Sequence, residues 1–124
     1  MPFLVLKGKV EAGKKFGSKI GFPTINIKVP RLIKKDQWGV YFSLVKIGQG
    51  IYPGLTHLGP PKTFGLRAAT CETHLLTWKG DLYGQLVEKK LIFRFREIQK
   101  FPQINHLKKQ LKRDVKIARK YFGL

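Results

Sequence analysis

Acidic side chains are scarce in this chain: seven Asp and Glu stand against 25 Lys and Arg, a formal charge of +18 over 124 residues. Cysteine is nearly absent. With Cys71 alone, no internal disulfide can form and no zinc finger can be ligated, so nothing asks for an oxidising compartment. Long apolar runs are missing as well. None approaches the roughly 20 residues that a membrane-spanning helix needs, and Met1 to Leu6 lack a signal peptide's apolar region and cleavage site. The length leaves no room for a second folded unit. What is present, 43% hydrophobic and 12% aromatic residues, suffices for a core and argues against intrinsic disorder. The expectation is a cytoplasmic, monomeric protein, one domain over residues 1–124, with no membrane partner.

So positive a field attracts polyanions, whether nucleic acid, an acidic membrane surface or a phosphate-rich small ligand, and does not choose among them. The chain pattern is more informative. Short apolar runs broken by Gly and Pro predict strands at Phe3–Val10, Thr24–Val29, Gly39–Ile47, Tyr52–Leu58, Ala68–Leu76 and Leu86–Phe95. After Phe101 the period changes. Ile104, Leu107, Leu111, Val115, Ala118 and Phe122 recur every three or four residues with Lys and Arg between them, predicting a helix over about 103–122 that packs against the strands. Six strands at this spacing suggest a barrel or sandwich. A barrel over about 1–100 closed by a C-terminal helix is the expected architecture.

Gly8 to Lys15 nearly spells a phosphate-binding loop, but Lys15 stands where the motif needs Ser or Thr, and Gly17, Gly21 and Pro23 forbid the helix that should follow. Downstream, Gly13, Gly17 and Gly21 allow backbone amides close to an anion, and Lys14, Lys15 and Lys19 supply charge. Thr24 and Asn26 alternate on one strand and so share a face. Their oxygens are hard ligands suited to Mg²⁺, or else two polar outward residues. Thr70, Glu72 and His74 share a face of the fifth strand. There Glu72 is either a general base or the partner of a lysine. Arg96 and Phe101 bracket the passage into the helix. They are able to hold an anion and a flat ring, while Phe101 could equally staple the helix to the barrel. Asp81-Leu82-Tyr83-Gly84 reads as a turn with Tyr83 half-buried.

Taken together, Gly21-Phe22-Pro23-Thr24-Ile25-Asn26, Tyr52-Pro53-Gly54, Thr63-Phe64-Gly65, Glu72-Thr73-His74, Gly80-Asp81-Leu82-Tyr83-Gly84 and the Arg96 to Phe101 join resemble the riboflavin kinase (flavokinase) family along nearly the whole chain. The resemblance implies an all-β fold, a six-stranded antiparallel Greek-key barrel with a C-terminal helix. It implies transfer of the γ-phosphate of ATP, with Mg²⁺, to the 5′-hydroxyl of riboflavin, giving FMN and ADP. By the same resemblance Thr24 and Asn26 touch the metal and Glu72 is the base. Gly13, Lys19, Thr24, Thr70 and Leu75 line the nucleotide site, while Arg96, Gln99 and Phe101 contact the flavin. Gln99 stands where a lysine often occurs in the family. The first arch carries Lys14, Lys15 and Phe16 where relatives have more glycine.

No H-x-G-H nucleotidyl-transfer motif occurs, so FMN formation without FAD synthesis is expected. The rival expectations are a basic barrel that binds nucleic acid, resting on charge, and a family relative that binds flavin or nucleotide without turnover. Phosphoryl transfer demands that Thr24 and Glu72 converge across the mouth of the barrel.

Overall fold

The computed structural model describes residues 4–12, 21–60 and 68–124. Six strands appear in chain order: β1 (Leu4–Lys9), β2 (Ile25–Ile27), β3 (Gly39–Ile47), β4 (Gly50–Gly59), β5 (Thr70–Leu75) and β6 (Leu86–Arg96), followed by one helix, α1 (Ile104–Tyr121). They form one antiparallel sheet in the order β1-β6-β3-β4-β5-β2. The run β3-β4-β5 is a meander, and β6 returns to lie beside β3, which makes a Greek key. The two edge strands then approach each other. The Glu11 amide donates to the Asn26 carbonyl at 2.7 Å, and this bridge nearly closes the barrel.

Alternation along the strands decides what the barrel encloses. On β6, Val87, Lys89 and Leu91 are buried. On β5, Cys71, Thr73 and Leu75 are buried, while Thr70, Glu72 and His74 are partly exposed. The interior cluster gathers Leu6, Val10, Ile27, Tyr41, Val45, Leu58, Cys71, Leu75, Leu82, Val87 and Leu91. Among them runs a chain of hydroxyls, Ser43 to Thr56 at 2.7 Å and Thr56 to Thr73 at 2.6 Å. A hydroxyl can both donate and accept, so Thr56 bonds both neighbours and each of the three buried groups has a partner. Gly54 makes room for them: a Cβ there would sit 2.6 Å from Thr73 Cγ2.

Strand β4 runs through Pro53, which sits where pairing with β5 has ended. Its carbonyl accepts from Leu76 N at 3.0 Å, and the Leu76 carbonyl that a Pro53 N–H would have met accepts from Arg119 Nη1 at 3.3 Å instead. Strand β2 is only three residues long, shorter than its apolar pattern predicts.

The helix packs on the outer face of the sheet. Ala118, Val115 and Phe122 meet Val40, Phe42, Leu55, Leu76, Ile92 and Phe95. Phe42 stacks on Phe95, ring centroids 4.6 Å apart. The helix ends as its sequence suggests. Gly123 takes φ +75°, and the amides of Gly123 and Leu124 return to the carbonyls of Lys120 and Arg119 at 3.1 and 2.8 Å. No described helix is long and apolar enough to cross a membrane.

Candidate active site

The site begins with the pairing of β2 and β5, which sets Asn26 directly opposite Glu72. Directly paired residues of an antiparallel ladder project to the same face. That face is the outer one, because Cys71 and Thr73 fill the interior. Thr24, just before β2, donates its hydroxyl to Glu72 Oε1 at 3.2 Å. From the other side the Thr70 hydroxyl lies within reach of Glu72 Oε2, at 3.4 Å, and of the Gly59 carbonyl, at 3.3 Å. The entry to β2 is held by His74, whose Nδ1–H donates to the Pro23 carbonyl at 2.9 Å and whose ring meets Phe22 edge-on at 5.7 Å.

Thr24 and Asn26 open onto a cleft of about 350 Å³, bounded by Val10 to Ala12 after β1 and by the Gly80 to Tyr83 turn. In a chain so poor in acids, Glu11 and Asp81 both line this cleft, and Glu72 is bonded to its rim. Asn26 Oδ1 is buried and has no hydrogen-bond partner among the described residues. An amide oxygen left so is costly unless a ligand satisfies it. With the Thr24 hydroxyl two residues away along the same face, the donor set consists of neutral hard oxygens beside a carboxylate. Such a set fits a small divalent cation that takes most of its remaining ligands from phosphate and water.

The same row continues across the wall. Glu72 lies opposite His57 on β4, His57 opposite Val40 on β3, and Val40 opposite Arg96 on β6. Burial and the positive charge of Arg96 push the His57 imidazole down to about 4, so it is neutral at pH 7. Its Nδ1 is buried without a partner among the described residues. The Arg96 fork is already engaged: Nη2 donates to Asp114 Oδ2 at 2.7 Å, Nε reaches both carboxylate oxygens at 3.1–3.2 Å, and Nη1 donates to the Glu97 carbonyl at 3.0 Å.

Thr24, Asn26, Thr70 and Glu72 therefore come together as expected. They do so on the outer face of the β2–β5 wall, because the lumen is filled. Leu75 does not join them. An odd offset from Glu72 turns it inward, where it is 7% exposed within the core cluster. Arg96 shares the row of Glu72 but spends its fork on the helix. Gln99 is exposed and Phe101 half-buried, both between β6 and α1. Gly13 and Lys19 lie outside the described residues, as does Thr63-Phe64-Gly65. Tyr83 is 63% exposed rather than half-buried; Leu82 is the turn residue that enters the core. Sequence reasoning passed over Lys89, Asp114 and the His57 row. The alternation Val87-Lys89-Leu91 and the i, i+4 spacing of Gln110, Asp114 and Ala118 carried the signal for the first two.

Comparison with known proteins bears on the family and the fold. The family model described as "Flavokinase: Riboflavin kinase" matches residues 3–122. A bifunctional riboflavin kinase/FMN adenylyltransferase of Haemophilus influenzae is 35% identical over 117 residues, covering 94% of this chain, which spans only 38% of that protein. A Streptococcus pneumoniae crystal structure described as a macrolide-efflux protein superposes with a TM-score of 0.79 at 30% identity, over 94% of this chain and 38% of its own. Riboflavin kinase from Trypanosoma brucei superposes with a TM-score of 0.67 at 24% identity, over 98% and 80% respectively, which bears on the fold.

Proposed function

The chain belongs to the riboflavin kinase family, and on that premise we propose that it transfers the γ-phosphate of ATP to the 5′-hydroxyl of riboflavin, giving FMN and ADP, with the whole chain acting as one domain. The observation that carries the proposal is the convergence of the Thr24 hydroxyl, the unsatisfied Asn26 Oδ1 and the Glu72 carboxylate on one face beside a cleft.

Phosphoryl transfer asks a protein for positioning and for electrostatic stabilisation more than for covalent chemistry. Thr24 and Asn26 are the residues that would hold Mg²⁺. When bound there, the cation neutralises charge on the nucleotide phosphates. Glu72 takes the part of general base. One of its oxygens is already oriented by Thr24, and the carboxylate is held where it can accept the proton of the attacking hydroxyl. Thr70 fixes the second oxygen from behind. The cleft beside Thr24 and Asn26 is assigned to the nucleotide, with Gly13 and Lys19 contributing to the phosphates. Arg96, Gln99 and Phe101 are assigned to the flavin. For Arg96 this means contact through the edge of a guanidinium whose fork stays on Asp114. Neutral His57, next to Glu72 on the row that leads to Arg96, adds a polar atom on the path assigned between the reacting hydroxyl and the ring.

Incubating the purified protein with riboflavin, ATP and Mg²⁺ and separating the flavins by chromatography tests the proposal. FMN formed in proportion to ADP is the expected result. Folded protein that binds flavin or nucleotide but yields no FMN would overturn it.

A further inference from the structure

We propose that Lys89 is a positioning residue for the transfer site, its ammonium group clamping the backbone that carries Asn26 and Glu72 from inside the barrel. The proposal rests on the kinase reading above and on one interior contact set. Lys89 points into the lumen between Val87 and Leu91 and is 0% exposed. An ammonium group placed there must find acceptors, since burying an unpaired charge is strongly unfavourable. It donates to the Cys71 carbonyl at 2.9 Å and to the Ile25 carbonyl at 3.0 Å, and rests 3.8 Å from Cys71 Sγ. Burial lowers its pKa, opposed by the neighbouring Cys71 and Glu72.

The identity of those two carbonyls is the point. Ile25 immediately precedes Asn26, and Cys71 immediately precedes Glu72. Asn26 and Glu72 are themselves register partners. Strand β6 adjoins neither β2 nor β5 in the sheet. The lysine side chain therefore spans the lumen and ties the far wall at the two peptide units that set the spacing of candidate metal ligand and base. Strand β2, at three residues, has few ladder bonds of its own to fix that spacing. The clamp supplies what the short strand lacks.

A lysine that merely filled the lumen would be replaceable by an apolar side chain of similar volume, since such exchanges of buried charge are often neutral or stabilising. Lys89→Met separates the two roles. The expected result is an unfolding midpoint no lower than that of the parent. Amide exchange at Ile25–Ile27 should be at least tenfold faster while exchange along β3 is unchanged. The value of kcat should fall at least tenfold, with KM for riboflavin within twofold. Lys89→Gln, which keeps an N–H donor on a shorter side chain, should fall between. Unchanged exchange and kcat in a folded Lys89→Met, or exchange accelerated equally through the whole barrel, would overturn the proposal. So would failure of both variants to fold, because the lysine would then be a stability element. Should the parent protein make no FMN, the kinase reading fails separately, and the local exchange pattern still reports whether Lys89 holds β2.

Discussion

Arg96 on β6 and Asp114 on α1 form a fork-shaped ion pair across the seam between barrel and helix, Nη2 to Oδ2 at 2.7 Å with Nε shared between both oxygens. Asp114 is 0% exposed and takes a further bond from Gln110 Nε2 at 2.8 Å. Every other charged residue of the helix is basic and exposed, so Asp114 is the one buried charge that ties α1 to the sheet, beside the apolar contacts of Val115, Ala118 and Phe122. Asp114→Ala leaves the Arg96 guanidinium and the Gln110 amide without their acceptor. Removing one partner of a buried pair typically costs about 3–5 kcal/mol. Denaturant unfolding should show a loss of that order, with the near-ultraviolet signal of Phe42, Phe95 and Tyr121 reporting loosening of the helix.

Asn26 offers the opposite sign. Its buried Oδ1 is unsatisfied, and such a group costs about 1–3 kcal/mol. Asn26→Leu removes that penalty, so stability without Mg²⁺ should be unchanged or higher. Turnover at ordinary Mg²⁺ should fall by more than tenfold. Paired unfolding and activity measurements check both. A variant that is less stable and fully active would deny the oxygen any ligand role.

Glu72→Gln keeps an oxygen to accept from Thr24 and changes only the ability to take a proton. The fold and riboflavin binding should survive, since the Thr24 bond is retained and the side chain is partly exposed. General-base catalysis is commonly worth about 10²–10⁴ in rate. A loss of kcat within that range, with flavin binding followed by quenching of riboflavin fluorescence, is the expected outcome. Full activity would pass the proton-accepting role to another group.

Much of the fold was readable because its signals are local. The Gly and Pro breaks mark strand ends to within two or three residues. The change of period after Phe101 marks the helix, and Gly123 its stop. Thr24, Asn26 and Glu72 were legible for the same reason: alternation within each strand fixes their face. Register was not legible. That Asn26 meets Glu72, that Glu72 meets His57 and that Val40 meets Arg96 depends on pairings between strands 15 to 56 positions apart. Lys89 was obscured by chemistry instead. Its inward parity is plain, but lysine reads as a surface residue unless carbonyls are known to await it across the lumen. Leu75 was placed at the nucleotide by resemblance, not by alternation, since an odd step from Glu72 puts it on the other side of the wall.

His57 yields a prediction about acid. Its imidazole is held down to about 4 by burial and by the charge of Arg96, against an ordinary value near 6.5 in the unfolded chain. Between those two values the unfolded state binds a proton that the folded state refuses. The stabilising contribution is therefore complete above about pH 6.5 and is lost as pH falls toward 4. The slope is about 1.4 kcal/mol per pH unit, and the total is roughly 3 kcal/mol. His57→Gln has no proton to gain and should lack this limb. Unfolding free energies of parent and variant, measured from pH 7.5 to 4, should diverge in slope below 6.5 and run parallel above it. Because the imidazole lies between Glu72 and Arg96, its protonation would place a positive charge on the row that bears the transfer site. Parallel curves over the whole range would mean that His57 titrates normally, and that Arg96, committed to Asp114, does not bear on it.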